Sequence, residues 1–199
     1  YLAPEMIRKI AKDPSLLNLG GESREMTILF SDIRGFTAIA EAMKDDPQGL
    51  TRLINTILTP LSNIIIENGG TIDKYMGDCV MAFWNAPLDD PDHADHALRA
   101  ATSMLAAMDE INTKVQSMLP DAAQVPRIKM GIGINTGICV VGNMGSDRRF
   151  DYSVLGDTVN IASRLEGQCK EFQSDILIGS GTVGQSRDFR FREVAKIQV

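Results

Sequence analysis

Hydrophobic and polar positions recur along this chain with two periods, one suited to strands and one to helices. Met26-Thr-Ile-Leu-Phe30 is a short apolar run that predicts a buried strand ending at Ser31-Asp32. The Gly-containing turn Ile33-Arg-Gly-Phe-Thr37 then leads into a helix over about 36–43. Leu50, Leu53, Ile54, Ile57, Leu58, Leu61, Ile64 and Ile65 fall at helical spacing. They predict a core-facing helix from Pro47 to Asn68, with Pro60 as a possible kink and Asn68-Gly-Gly70 as its stop. Thr71–Met76 and Cys79–Trp84 read as the arms of a hairpin with Gly77-Asp78 at its tip. His93 to about Leu119 is a long helix whose Met and Ala stripe faces a core.

Arg127–Asn135 alternates as a strand, Asn135-Thr-Gly137 reads as a turn, and Ile138–Gly142 as the returning strand of a second hairpin. Asn143–Asp151 reads as a polar, basic loop. Gly156-Asp157 predicts a turn and helix N-cap, with Val159, Ala162 and Leu165 available to a core. Asp175–Gly179 and Phe189–Val194 are further strand candidates, and Ala195–Val199 is strand-like. Strands and helices that alternate irregularly around hairpins predict an α+β fold. The expected form is a ferredoxin-like βαββαβ core with extensions, its mixed or antiparallel sheet covered by helices. Residues 1–23 read as a lead-in, with a short helix near Pro4 and a Gly20-Gly21 turn, and residues 24–199 as the domain. The start and the end both read as cuts from a longer protein.

Charge and composition narrow the classes. The chain has 199 residues and a net charge of −6, which argues against a nucleic-acid partner. An anionic ligand therefore requires a local basic cluster or metal ions. Three scattered cysteines without metal spacing indicate reduced thiols in a cytosolic setting. No signal peptide or apolar run of membrane-spanning length is visible. His93 and His96 sit in an acidic helix start and read as a solvated face.

Three stretches carry candidate chemistry. In Leu29–Thr37, Asp32 ends a buried strand just before a turn into a helix, a place for either a capping carboxylate or a cation ligand beside phosphate-binding amides. In Lys74–Trp84, Asp78 at a hairpin tip suits a turn or a second carboxylate for the same cation. In Tyr152–Arg164, Asn160 and Arg164 lie four apart on one helix face, downstream of Arg148-Arg149. Such a face is either solvated or suited to a polyanion, because Arg forks onto phosphate and Asn meets a sugar or base. Gly131, Gly133 and Gly137 have the wrong spacing for a dinucleotide fingerprint and predict close backbone approach instead.

Phe30-Ser-Asp-Ile-Arg-Gly-Phe-Thr37, Lys74-Tyr-Met-Gly-Asp78 and Tyr152–Glu166 together resemble the catalytic domain of class III nucleotidyl cyclases, from about Glu25 to the C-terminus. The lead-in resembles the segment that joins a membrane-anchored sensor to this domain in bacterial members, which places the domain on the cytoplasmic side. The resemblance implies that Asp32 and Asp78 hold two Mg²⁺ or Mn²⁺ ions, with the Ile33 carbonyl as a further ligand. It implies that amides at Gly35, Phe36 and Thr37 cradle phosphates, that Arg148 binds the triphosphate, that Asn160 orients the ribose and that Arg164 stabilises charge on the α-phosphate. Lys74 and Ser153 fall at the base-reading positions. Lys is donor-only and suits adenine N1, while a Ser hydroxyl can accept from the 6-amino group. The implied activity is therefore conversion of ATP to cyclic AMP and pyrophosphate, in a head-to-tail homodimer with shared sites. The alternative is a guanylyl or dual-specificity cyclase, against which Lys74 argues, since guanylyl members carry Glu in its place. A diguanylate cyclase would carry a Gly-Gly-acidic-acidic-Phe signature, which this chain lacks, and a silent regulatory domain would have lost site residues that are all present here. The family's last-strand triphosphate Lys has no match in register, since Lys196 is displaced, and this predicts weak ATP affinity.

Overall fold

A computed structural model describes residues 20–119, 127–146 and 148–196. The proposed helix near Pro4 and the run from Ile197 to Val199 lie outside these residues. The elements run β1 (Gly20–Arg34), α1 (Phe36–Ala42), α2 (Pro47–Glu67), β2 (Thr71–Met76), β3 (Cys79–Trp84), α3 (His93–Met118), β4 (Lys129–Ser146), β5 (Arg149–Leu155), α4 (Asp157–Gln168), β6 (Ile176–Ile178) and α5 (Ser180–Gln185). The strands form one sheet in the order β2-β3-β1-β4-β5, antiparallel throughout, with β6 parallel to β4. β1–α2–β2–β3–α3–β4 is the ferredoxin-like βαββαβ core, and β5, α4, β6 and α5 extend it.

Local chemistry starts and stops these elements where it should. Asp46 caps α2 by accepting from the Gly49 amide at 2.8 Å, and Pro47 fills the first helical position. Pro60 does not divide α2, which runs unbroken to Glu67. α2 and α3 cover one face of the sheet. Leu53, Ile57, Leu61, Ile65, Ala97, Ala101 and Met104 meet Leu29, Val80, Ala82, Trp84, Ile132 and Ile134 in the main core. Each fully buried aliphatic side chain here contributes about 1.5–3 kcal/mol relative to leaving it in water. The other face is covered by α4, where Ala162 packs with Met26, Ile28, Phe30, Met81, Phe83 and Val141.

Five expectations are corrected. There is no turn at Asn135-Thr-Gly137: β4 is continuous and pairs with β1 from Gly20–Asn143 to Arg34–Lys129. The residues that looked turn-like are used inward. The Thr136 hydroxyl bonds Thr27 at 2.7 Å and Thr182 at 2.8 Å, and the Ile134 carbonyl accepts from Gly179 N–H at 2.8 Å. The hairpin forms later, between β4 and β5, inside the stretch expected to be a loop, and Gly20-Gly21 starts β1 instead of turning. Phe189–Val194 is not a strand. Phe189 and Phe191 pack on the main core, while the preceding Ser186–Asp188 segment is tied to the Asp95 carboxylate of α3. His93 is buried rather than solvated: its Nδ1 lies 2.7 Å from the Thr27 hydroxyl, and burial pushes its pKa down. His96 pairs with Asp90 at 2.8 Å.

Candidate active site

The site is assembled at the ends of β1 and of the β2–β3 hairpin. The pairing of Ser31 with Val80 runs Asp32 out beside Cys79, next to the Gly77-Asp78 turn. The carboxylates sense each other: burial first, then the Asp32 charge, raise the Asp78 carboxyl above its ordinary range, while amides of Asp78 and Ile33 oppose the rise. Cys79 is pushed up to about 12 by burial and by Asp32, Glu166 and Asp78, so its thiol stays protonated and inert.

Glu166 joins this corner from α4, which can lie close to the sheet because β4 has no side chains at two positions. A Cβ at Gly133 would meet the Ala162 carbonyl and the Glu166 amide at 2.2 Å, and one at Gly131 would meet Glu166 Oε1 at 2.7 Å and Arg34 Nη2 at 3.1 Å. Gly131 registers with Asp32. Arg34 is the cation of this corner and also donates to the Ser174 carbonyl at 3.0 Å.

This donor set fits a divalent ion for which the protein would supply only some of the ligands. Asp32 and Asp78 are half-buried carboxylates that repel each other, which a cation relieves. Among the described residues, no group of three His, Cys, Asp or Glu side chains is placed to hold a metal ion, so the protein would supply two carboxylates at most. Magnesium prefers such an arrangement, with a few carboxylates and the remaining positions left to phosphate oxygens and water.

A second corner contains Lys74 and Ser153. β5 comes into contact with β2 although three strands separate them in sheet order. The Phe83 and Tyr152 rings meet at a centroid distance of 6.1 Å. Ser153 is buried and Lys74 reaches solvent. Between them lies Asp73, whose carboxyl burial pushes up while the Ser153 hydroxyl and Lys74 pull it down.

Asn160 and Arg164 belong to neither corner. Both are exposed, and the 100° step of a helix puts them on the side of α4 away from Ala162 and Glu166. The N-cap of α4 is Gly156 (φ +153°), without a side-chain cap bond, and Asp157 is instead the acidic residue of the first turn. Gly35, at φ +89°, caps α1 and precedes Phe36 and Thr37. Arg148 is exposed at the β4–β5 turn. A single chain thus separates the predicted residues into a carboxylate corner, a corner with the two residues expected to read the base, and an Asn–Arg pair facing outward. The motifs left Asp73 and Glu166 without a role. The signal for Glu166 lay in Gly131 and Gly133, which clear the space it fills, whereas Asp73 depends on a strand irregularity that the sequence does not announce.

A fold with these motifs on these strands defines a nucleotidyl cyclase domain. Residues 21–199 match the family model described as the adenylate and guanylate cyclase catalytic domain, and the chain belongs to that family. It is 44% identical to an adenylate cyclase of Anabaena cylindrica over 161 residues, covering 81% of this chain and 30% of that protein. It is 33% identical to adenylate cyclase 1 of Rhizobium meliloti over 193 residues, covering 96% of this chain and 28% of that one. The chain therefore spans less than a third of these curated relatives. Among solved structures, the guanylyl cyclase Cya2 superimposes with a TM-score of 0.74 at 35% identity, covering 85% of this chain and 82% of that one. The adenylyl cyclase CyaB from P. aeruginosa gives 0.74 at 37%, covering 84% and 82%. Likeness extends to both base specificities, so base choice must come from the residues. Among the described residues, no helix is long and apolar enough to cross a membrane.

Proposed function

We propose that this domain is an adenylyl cyclase that converts ATP to cyclic AMP and pyrophosphate. The observation that carries the reading is the carboxylate corner, where Asp32 and Asp78 share one field at the end of β1. There they would hold two Mg²⁺ or Mn²⁺ ions, with the Ile33 carbonyl as a further ligand. When bound, such ions neutralise phosphate charge and lower the pKa of the ribose 3′-hydroxyl that attacks the α-phosphorus.

The remaining groups supply position and charge. Backbone amides at Gly35, Phe36 and Thr37 bind phosphate oxygens, and Arg148 binds the triphosphate. Asn160 orients the ribose so that the 3′-oxygen stands in line with the bond that breaks. Arg164 presents fixed positive charge to the α-phosphate as charge develops, an effect commonly worth about 3–4 kcal/mol per preorganised donor. Lys74 donates to adenine N1, and Ser153 accepts from the 6-amino group.

The working form is a head-to-tail homodimer, because Asn160 and Arg164 point away from the carboxylates of their own chain. Uncovered apolar surface supports this. Ile138 and Val140 lie on one face of β4, Leu155 registers with Val140, and the three are 62%, 47% and 60% exposed. In the longer protein that the curated relatives suggest, the domain would be the cytoplasmic output of a sensor region. Cyclic AMP formed from ATP with Mn²⁺ or Mg²⁺, measured over a range of protein concentrations, tests the reading. Activity per mole that rises with concentration is expected, with GTP a poor competitor. Folded protein without product at any concentration, or preference for GTP, would overturn it.

A further inference from the structure

Asp73 is a buried carboxylate with no role in the reaction as described. It lies in β2 between Ile72, which registers with Ala82, and Lys74, which registers with Met81. Consecutive partners on β3 thus face residues two apart on β2, and Asp73 is the extra residue of a β-bulge. In a regular strand, neighbouring side chains point to opposite faces. The bulge removes that restriction and leaves Lys74 Nζ 3.3 Å from Asp73 Oδ2. The two side chains differ sharply in exposure, 1% for Asp73 and 51% for Lys74.

Neither carboxylate oxygen of Asp73 completes a hydrogen bond. β5 nonetheless meets β2, and Ser153 and Lys74 pull the Asp73 carboxyl down against the rise that burial causes. At 3.3 Å the Lys74 ammonium forms an ion pair with Asp73 that stops short of a hydrogen bond. A carboxylate oxygen buried without a hydrogen bond costs free energy, and here two of them stand between the two side chains at the base-reading positions.

We propose that Asp73 is a positioning residue for base selection: it accepts a hydrogen bond from the Ser153 hydroxyl and steadies the Lys74 ammonium, so that Ser153 offers the base only a lone pair. The inference rests on the reading that Lys74 and Ser153 meet the base. A free Ser hydroxyl donates or accepts equally well, so alone it would satisfy either the adenine 6-amino group or guanine O6. A hydroxyl whose proton is committed to a carboxylate can only accept. Adenine then finds an acceptor for its 6-amino group and a donor for N1. Guanine meets a lone pair at O6 and an ammonium at N1–H, so both contacts are mismatched.

The test is displacement of a ribose-labelled fluorescent ATP by unlabelled ATP and GTP, which requires no turnover, with cyclic nucleotide product measured alongside. Asp73→Ala is expected to shrink the ATP-over-GTP affinity ratio about tenfold. Asp73→Asn keeps an acceptor oxygen and is expected to lose less. Adding Ser153→Ala to either variant should change the ratio little further, because the two act as one unit. Should the alanine variant fail to fold, Asp73→Asn with and without Ser153→Ala carries the comparison. A ratio left unchanged, or equal losses for both nucleotides, overturns the proposal and leaves the adenylyl reading intact. A wild-type protein that binds neither nucleotide, or that prefers GTP, overturns both.

Discussion

The Glu166 carboxylate stands where a side chain at residue 131 would otherwise point: a Cβ on Gly131 would lie 2.7 Å from Glu166 Oε1. Gly131 pairs with Asp32, so the missing side chain brings a third carboxylate to the Asp32–Asp78 corner. Burial, then the Asp32 charge, raise the Glu166 carboxyl from 4.5 to about 7, against the pull of Arg34 and with some help from Asp78. A raised carboxyl binds its proton more tightly in the folded state. Its stabilising contribution is complete below pH 4.5 and is lost as pH rises through about 7. Glu166→Gln, which cannot ionise, should therefore gain on wild type across that window in chelator-treated protein, and hold a constant advantage above it. Urea midpoints at a series of pH values measure the difference. Parallel profiles would mean that Glu166 does not feel the corner.

The same approach of α4 to β4 makes Gly133 intolerant of any side chain. The atoms a Cβ would meet at 2.2 Å, the Ala162 carbonyl and the Glu166 amide, are backbone, and neither can rotate away. Gly133→Ala must lift α4 from the sheet, and a loss of about 2–3 kcal/mol is expected in denaturant unfolding. Gly167 is the control. It lies in the same helix with nothing within 4 Å of its Cβ position, so Gly167→Ala should be neutral or stabilise by up to about 1 kcal/mol. Equal losses at the two positions would count against close packing as the cause.

Local signals carried most of the fold, and partners decided the rest. α2, α3 and the β2–β3 hairpin were legible because their apolar periods are long and their turns carry Asn, Gly and Asp at the required places. Asn135-Thr-Gly137 misled because the same polar residues that make turns can also line a buried contact. What distinguishes the cases is the arrival, far along the chain, of Thr182 from α5 and of Gly179 at its N-cap. His93 misled for the same reason: the sequence shows its acidic neighbours but not Thr27, which lies across the core. At the site, residue types at motif spacing pointed to Asp32, Asp78, Asn160 and Arg164. Asp73 could not be found that way, since a bulge is a property of two strands together.

Asp95 makes a prediction away from the chemistry. It is buried in α3 and accepts from the Ser186 hydroxyl at 2.5 Å and the Arg187 amide at 3.1 Å, with the Asp188 amide at 3.4 Å. Burial pushes its carboxyl up, but these donors and Arg99 outweigh it and hold the pKa below the ordinary value. The stability it lends is present above its unfolded pKa of 3.8 and is lost as pH falls through the lower folded value. Asp95→Ala should cost about 2–4 kcal/mol and leave three donors unpaired. Limited proteolysis of that variant should cut first near Ser186–Asp188. Wild-type resistance there would show that Phe189 and Phe191 anchor the segment without it.

The division of site residues within one chain makes the most demanding prediction. If the carboxylates of one protomer work with Asn160 and Arg164 of the other, Asp32→Asn and Arg164→Ala each inactivate both sites of a homodimer. Mixed together, the two variants form heterodimers in which one site carries both lesions and the other carries none. With random pairing at equal amounts, half of the dimers are mixed and half of their sites are intact, so activity should recover to about one quarter of wild type. The recovery should grow as protein concentration rises, and it should vanish when Ile138→Asp in both chains breaks the apolar patch with Val140 and Leu155. Neither effect has a route within a single chain. A mixture no more active than its parts, with each variant folded, would require Arg164 and Asp32 to serve the same site from one protomer. The outward side of α4, where Arg164 is exposed, offers no path to that corner without unpacking Ala162 from the sheet.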